Sequence, residues 1–226
     1  PGTPWPLLRE IDADLLFERQ GMTIRAQRGT IHGARISETT ARIPDLGHDA
    51  TLEVRGQVAG ALSDMLGYVN ASPVARWIGG VTRGVEARGP ARLDLKLDIP
   101  LLRTEATRVT GALQMQNNDL TFADVPPFSR VSGVFNFDER GIRFNNLAGG
   151  FLGGQARFDA TTRADGATAI TATGIATTAG LKRAVDVGVV QRVLDRSQGS
   201  ARYTASLTAH GGGLVIQADS DLVGLT

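Results

Sequence analysis

The sequence predicts a mainly β protein built around a large antiparallel sheet, and three observations lead to this fold class. Apolar and polar residues alternate along most of the chain, most clearly over 91–99, which is typical of strands with one apolar face. Short turns join these segments, and strands joined so tightly must be antiparallel. Because roughly a dozen such segments exceed the usual sheet of about 5–6 strands, the sheet must curl, stack or stay open and elongated.

The stretch 109–160 carries the strongest strand signals, and we interpret it as four or five short strands. Apolar side chains in it share faces at every second position, as at Phe135 and Phe137. The loop 138–141 ends in a glycine, which readily supplies the positive φ of a hairpin turn. We interpret the polar residues 117–119 as a further turn, stabilised by their own side chains.

Strands are also predicted on both sides of this central stretch. We place them at 11–18, 22–26, 31–43, 52–58, 91–99, 155–160, 170–174, 201–207 and 214–222. The first of these strands are separated by predicted turns at 19–21 and 28–30, each of which contains a glycine.

Two interludes have helical rather than alternating spacing, near 61–81 and 179–196. In the first, Leu62, Met65 and Val69 recur at intervals that place them on one side of a helix. Pro73 opens a second short helix there, for which Ser72 is the predicted N-cap. The interlude near 179–196 is apolar at a similar spacing.

The sequence also repeats a weak internal pattern, in which a glycine precedes an alternating strand. It begins at Gly89, Gly111, Gly133 and Gly199. We interpret it as repeated hairpins of a solenoid-like sheet.

Composition limits the class of partner and the kinds of cross-link and metal site. The formal net charge is +1 and no like-charge run is long, so a nucleic-acid partner is not expected. Cysteine is absent, which excludes disulfides and thiolate metal sites. We expect residues 1–226 to form a single segment of a longer, repetitive protein, with residues 1–6 as a proline-rich linker.

No set of residues predicts catalysis or a cofactor. The stretch 210–213 resembles an oxyanion loop, but no G-x-S-x-G motif accompanies it, so we expect a flexible hairpin loop. His32 and His48 lack metal-ligand spacing. The glycine-rich stretch 149–154 opens no predicted helix, so a bend or bulge is expected rather than a phosphate loop. The sequence therefore predicts neither an enzyme nor a metal site.

The alternating strands predict one continuous apolar surface that is too large to stay exposed to water. It can be covered by the chain itself, as an ordinary closed β-core, or by an apolar ligand. Both alternatives agree with the pattern.

Several stretches of the sequence resemble the YhdP-type branch of the AsmA-like proteins. They are the stretches 6–15, 69–78, 117–120 with the prolines at 126–127, and 151–154. The resemblance implies an internal segment of a large Gram-negative envelope protein, anchored in the inner membrane and projecting through the periplasm. It also implies an elongated, curled sheet that forms a groove, the plan of bridge-like lipid transfer proteins.

The function that this resemblance implies is transport of phospholipid between the inner and outer membranes, with acyl chains shielded in an apolar β-groove. The partners would be phospholipid acyl chains, membranes reached through the rest of the parent protein, and other envelope proteins. A structural or protein-binding β-scaffold with a closed core and no lipid is the alternative. Alternation selects as candidate lipid-binding residues Leu93, Leu95, Leu97, Leu113, Met115, Phe135, Phe137, Ile142 and Phe144.

Overall fold

The computed structural model describes residues 5–47, 49–78, 80, 82–123, 125–184, 194–210 and 213–224. Within them the chain forms strands β1 (Leu8–Glu18), β2 (Gly21–Ile31), β3 (Ala34–Ile43), β4 (Thr51–Ala61), β5 (Glu86–Arg88), β6 (Pro90–Pro100), β7 (Arg108–Phe122), β8 (Val125–Asp138), β9 (Gly141–Phe151), β10 (Gly154–Thr162), β11 (Thr168–Thr177), β12 (Ser200–His210) and β13 (Gly213–Ser220). The helices are α1 (Leu62–Ala71), α2 (Val74–Trp77) and α3 (Thr178–Ala184), and a 3-10 turn spans Thr104–Ala106.

The described strands form a 13-stranded sheet whose order follows the chain, except that β5 pairs with β7 beside the main path. The strand pairs whose register is defined are antiparallel, from β1 with β2 to β12 with β13. The mainly β, antiparallel fold class is therefore confirmed. Helices α1 and α2 lie in the predicted interlude 61–81, and α3 begins the second interlude, of which residues 185–193 lie outside the described part.

The chain divides into two compact units. The first unit comprises Pro1–Arg83, Arg88–Gln114 and Asn136–Glu139, and the second comprises Gly84–Ala87, Met115–Phe135 and Arg140–Thr226. Each is described by itself below.

In the first unit, the hairpin between β2 and β3 turns at His32 and Gly33, whose φ values are 48° and 91°. Two consecutive positive φ values match the turn that suits the twist of a hairpin. The predicted turn at 28–30 is wrong, because Gly29 stays in β2 and pairs with Ile36. A glycine marks a turn only where the chain reverses, and at Gly29 a Cβ would meet Ile11 of β1 at an ordinary 3.6 Å.

Helix α1 leaves the sheet between two strands that are already paired. Ala61, at the end of β4, pairs with Pro90, at the start of β6. The first helical amide, of Leu62, donates to the carbonyl of Gly89 at 2.9 Å. Ser72 has extended backbone angles and its hydroxyl oxygen accepts the amide of Val74 at 3.3 Å, as predicted for the N-cap of α2, while Pro73 already has helical angles.

Helix α3 of the second unit leaves the sheet in the same way. Thr177 pairs with Ser200, and the amide of Thr178 donates to the carbonyl of Gly199 at 3.1 Å. Gly89 and Gly199 both have positive φ, 101° and 108°. Two of the four glycines that begin the predicted internal repeat, Gly89 and Gly199, therefore share one backbone geometry. The other two, Gly111 and Gly133, lie inside strands.

The second unit also repeats the hairpin of the first. The turn between β9 and β10 lies at Leu152 and Gly153, whose φ values are 50° and 83°. The glycine-rich stretch 149–154 is thus a hairpin turn with its flanking strand ends, rather than a bend or bulge within one strand.

Three β-bulges interrupt β7, β8 and β9, each at a non-glycine residue with positive φ. An extra residue in one strand leaves its amide outside the ladder. Each of these amides instead donates to a side chain on the neighbouring strand: Asn117 N to Ser132 Oγ at 2.9 Å, Arg130 N to Asp119 Oδ1 at 3.0 Å, and Asn146 N to Asp159 Oδ1 at 2.8 Å. The residues 117–119 form such a bulge within one long strand, and the predicted turn there is wrong.

The cap on the β9 bulge gives a testable prediction. Asp159→Ala removes the acceptor of the Asn146 amide, and we expect the free energy of unfolding to fall by about 1 kcal/mol in urea titrations. Asp94→Ala is the matched control, because this exposed carboxylate on β6 has no hydrogen-bond or ion-pair partner among the described residues. Equal losses in the two variants would contradict a specific role for the cap.

Candidate functional site

The strands of the first unit share one apolar face, because directly paired residues point to the same side of a sheet. Val54 of β4 pairs with Leu97 of β6, and Val58 pairs with Leu93. The face also includes, on neighbouring strands, Leu15, Phe17, Met22, Ile24, Ala26, Ala41, Ile43, Leu52, Leu95 and Ile99.

Three of the candidate residues meet at one end of this apolar face. Leu97, Ile99 and Val109 form a buried cluster, and Leu95 and Phe137 pack against it. Leu93 and Leu113 are half-buried. The structure therefore brings Leu95, Leu97 and Phe137 into one cluster, while their binding of lipid stays a prediction.

The middle of the apolar face is only partly buried. Ile24, Val54 and Leu95 are only half-buried although their side chains are apolar. On β1 the exposure is greater, 56% for Leu15 and 62% for Phe17. An apolar surface that reaches from half-buried to exposed side chains is typical of a binding surface.

Helix α1 covers the opposite end of the face, at the β2–β3 hairpin. Leu62 and Met65 of the helix are buried, as are Ile31 and Ala34 beside the turn. A Cβ on Gly33 would lie 2.8 Å from the Asp64 carboxylate of the helix, so the turn and the helix are in close contact. The open part of the face is bounded on this side.

In the second unit, the remaining candidates lie on β7, β8 and β9. The rings of Phe135 and Phe144 are stacked, with centroids 5.6 Å apart and planes at 28°. Met115 is buried. Ile142 is half-buried, and its amide donates to Thr162 Oγ1 at 3.0 Å.

Sequence reasoning missed an aromatic cluster in the second unit. Phe128 stacks on Phe151 at 4.6 Å, and its edge contacts with Phe158 and Phe122 are at 5.3 and 5.8 Å. The bulges hide this cluster, because each one switches the apolar positions of its strand between even and odd numbers. In β9 the aromatic side chains change from an even position, Phe144, to an odd position, Phe151. This change was the sequence signal from which the bulge and the cluster could have been found.

On β11 and β12 the apolar face of the second unit combines small residues with one tyrosine. Gly174 pairs with Tyr203, and Ala172 with Ala205. Burial raises the pKa of Tyr203 from 10.0 to about 12, so its hydroxyl stays protonated at neutral pH. No hydrogen-bond partner for this buried hydroxyl oxygen lies among the described residues.

The described part of the chain contains no group of three or more His, Cys, Asp or Glu side chains that would hold a metal ion. His32 is an exposed turn residue. His48 and the glycines 211–212 lie outside the described residues.

Over the described ranges, the helices are too short and too polar to cross a membrane.

Comparison with known proteins identifies relatives of the chain. A family model described as "YhdP protein" matches residues 2–226. The chain is 25% identical over 160 residues to a protein of Escherichia coli (strain K12) described as "Intermembrane phospholipid transporter YhdP". The match covers 70% of this chain but only 12% of that relative. No solved structure matches the chain.

The site of Phe137 gives a prediction about packing. A Cβ on Gly111 would run into the ring of Phe137, so Gly111→Ala must displace that ring and should lower the free energy of unfolding by about 1–3 kcal/mol. Gly29→Ala is the matched control within a strand, because its Cβ would meet Ile11 at an ordinary 3.6 Å. Thermal melts that fall equally for both variants would contradict the close packing of Phe137.

Tyr203 gives a prediction about pH. Tyr203→Phe removes a buried hydroxyl that has no partner, so the variant should be at least as stable as the parent at pH 7. Because folding raises this pKa, the stability it contributes is complete below about pH 10 and is lost as the pH rises towards 12. In urea titrations, the free energy of unfolding of the variant should therefore fall less than that of the parent as the pH rises from about 10 towards 12. A marked loss of stability at pH 7 would mean that the hydroxyl has a partner.

Proposed function

Because the chain belongs to the YhdP family of AsmA-like proteins, we propose that residues 1–226 are one internal segment of a longer protein that moves phospholipid between two membranes. In this proposal the segment carries lipid in an apolar β-groove, with residues 1–6 as a linker. The chain itself performs no catalysis. The description of the Escherichia coli relative as an intermembrane phospholipid transporter supports the lipid as cargo.

The observation that carries the proposal is the half-exposed apolar face of the first unit. Leu95, Val54 and Ile24 lie on this face of β6, β4 and β2, and none of them is fully buried. Each acyl CH₂ exposed to water costs about 0.8 kcal/mol, so an acyl chain gains free energy when it binds to such a face. The exposed side chains of β1 extend the same face to the first strand of the sheet.

The mechanism that follows is physical. Many similar apolar contacts, with few specific polar ones, allow an acyl chain to slide without a large barrier at any point. The unpartnered Tyr203 hydroxyl is the one buried polar atom of this kind among the described side chains, and it offers a single donor on an otherwise apolar face. The charged head group stays in water because burial of an unpaired charge is costly.

The proposal places the segment in the periplasm, as part of a protein anchored in the inner membrane. Its cargo is phospholipid, held through the acyl chains, and the membranes are reached through the rest of the parent protein. Other envelope proteins are further partners in this proposal, and no nucleic acid is involved.

The second candidate function is a structural or protein-binding scaffold with no lipid. The buried cluster of Leu97, Ile99 and Val109 favours it locally, since this end of the face is already filled by protein. Native mass spectrometry after expression in bacteria separates the two functions. Co-purified phospholipid supports transport, whereas a lipid-free mass together with no uptake of a fluorescent phospholipid supports the scaffold.

A charge placed on the apolar face tests the proposal in the first unit. Leu95→Asp should retain the fold, because the half-buried side chain leaves the carboxylate a route to water, while bound phospholipid falls at least about tenfold. Thr110→Asp, on the exposed opposite face of β7, is the matched control and should change neither the melting temperature nor the lipid content.

The corresponding pair in the second unit is Phe135→Asp with Thr121→Asp as its control. If either face variant unfolds at room temperature, that part of the face behaves as a closed core, as the scaffold function requires. If both face variants keep full lipid binding and the parent's melting temperature, these residues do not line the lipid path.

A further inference from the structure

The outer face of the second unit, opposite to its apolar face, contains a hollow with a volume of about 480 Å³. Its position on that face follows from alternation, because its outward residues fall between apolar-face positions such as Ala156 and Tyr203. The side chains that surround it are Ala148, Gln155, Arg157, Thr173, Ile175 and Arg202. This volume is in the range of small-molecule sites.

The two arginines of the hollow, Arg157 and Arg202, form no ion pair among the described residues. The acidic residue that follows two positions later on the same face of β10, Asp159, already accepts the Asn146 amide at 2.8 Å. The carboxylates nearest to Arg202 in the register are Asp219, on β13 opposite Thr204, and Asp221, which accepts the Val223 amide at 3.2 Å. The hollow therefore carries two positive charges that these carboxylates do not engage in an ion pair.

Comparison with the first unit explains why the hollow is open. The hairpins of the two units correspond, so Ala148 opposite Arg157 takes the place of Arg28 opposite Ser37. Arg28 is a large side chain, and it pairs with Asp12 at 3.2 Å. In the second unit, Ala148 occupies the position of Arg28, and Arg157 occupies the position of Ser37 on the neighbouring strand. Arg157 has no ion-pair partner among the described residues.

Two glycines allow β10 and β11 to approach closely next to the hollow, and one of them, Gly174, lines it. A Cβ on Gly174 would lie 2.7 Å from the carbonyl oxygen of Gln155, and a Cβ on Gly154 would collide with the carbonyl of Ile175. Close approach of β10 and β11 therefore requires glycine at both positions. The glycine-rich hairpin thus has a local role beside the hollow, although it opens no helix.

We propose that this hollow binds a phosphate group. The planar guanidinium of arginine presents paired N–H donors that match phosphate oxygens, and two arginines on different strands can hold one phosphate from two sides. The Gln155 amide and the Thr173 hydroxyl add donors at the rim. Ile175, which is 42% exposed, and Ala148 leave an apolar surface for the uncharged part of a phosphate ester. The proposal is independent of lipid carriage on the opposite face.

The experiment titrates the whole 226-residue chain with inorganic phosphate at low ionic strength, with binding followed by calorimetry. We expect saturable binding at one site. Arg157→Gln and Arg202→Gln should each raise the dissociation constant about tenfold, because each removes a charge-assisted pair of hydrogen bonds. Arg143→Gln is the matched control, since it removes an equal charge from the same face on β9, opposite Thr161.

Conservative variants distinguish recognition from charge and folding. Arg157→Lys and Arg202→Lys keep the positive charge but lose the paired N–H donors of the guanidinium. These variants should therefore bind phosphate more weakly than the parent, at an unchanged melting temperature. No saturable phosphate binding by the parent would overturn the proposal. So would an equal loss in the Arg143→Gln control, which would mean that general charge attracts the anion.

A second arm distinguishes the sources of the phosphate. Glycerol phosphate represents soluble esters, and vesicles of phosphatidylglycerol, compared with vesicles of phosphatidylcholine, represent an anionic membrane surface. Binding of glycerol phosphate that depends on Arg157 and Arg202 assigns the site to soluble esters. Vesicle binding that depends on the same two arginines assigns it to lipid head groups. Binding of either probe that is insensitive to both arginines would overturn the site.

Discussion

The register of the antiparallel ladder is the constraint on which the rest of this structure depends. Side chains alternate across a strand, so a slip of one residue would move every apolar side chain to the polar face. The pairs Val54 with Leu97 and Val58 with Leu93 keep the apolar face continuous across β4 and β6. Where a bulge adds a residue, as at Asn146, the cap from Asp159 satisfies the displaced amide, so the register changes without an unpaired group.

The same constraint decides how much of the fold could be predicted. In β6 the alternation over 91–99 has no bulge, and the strand lies where the sequence places it. Prediction failed where the backbone adopts positive φ at residues other than glycine, as at His32 and Asn117. Such residues carry no strong sequence signal, because a hairpin turn and a bulge depend on the pairing of distant strands.

The candidate site was predictable only in part, for a related reason. Alternation shows which residues share a face, and Leu95, Leu97 and Phe137 do meet in one cluster. It does not show which part of the face the rest of the chain covers, so buried Leu97 and half-buried Leu95 have the same sequence signal. The phenylalanine cluster around Phe128 escaped notice because it combines side chains from four strands, three of which contain bulges.

Helix α1 does more than connect two strands of the sheet. Ala61 and Pro90 are already paired, and a two-residue turn would suffice to connect such strands. The chain instead forms α1, which buries Leu62 and Met65 at the turn end of the apolar face. Long connections are usually functional, and this one limits the open part of the face. On the opposite face the two repeats have diverged instead, since alanine at position 148 takes the place of Arg28 and leaves a cationic hollow. One face therefore keeps its apolar character in both units, while the other is free to acquire a separate binding site.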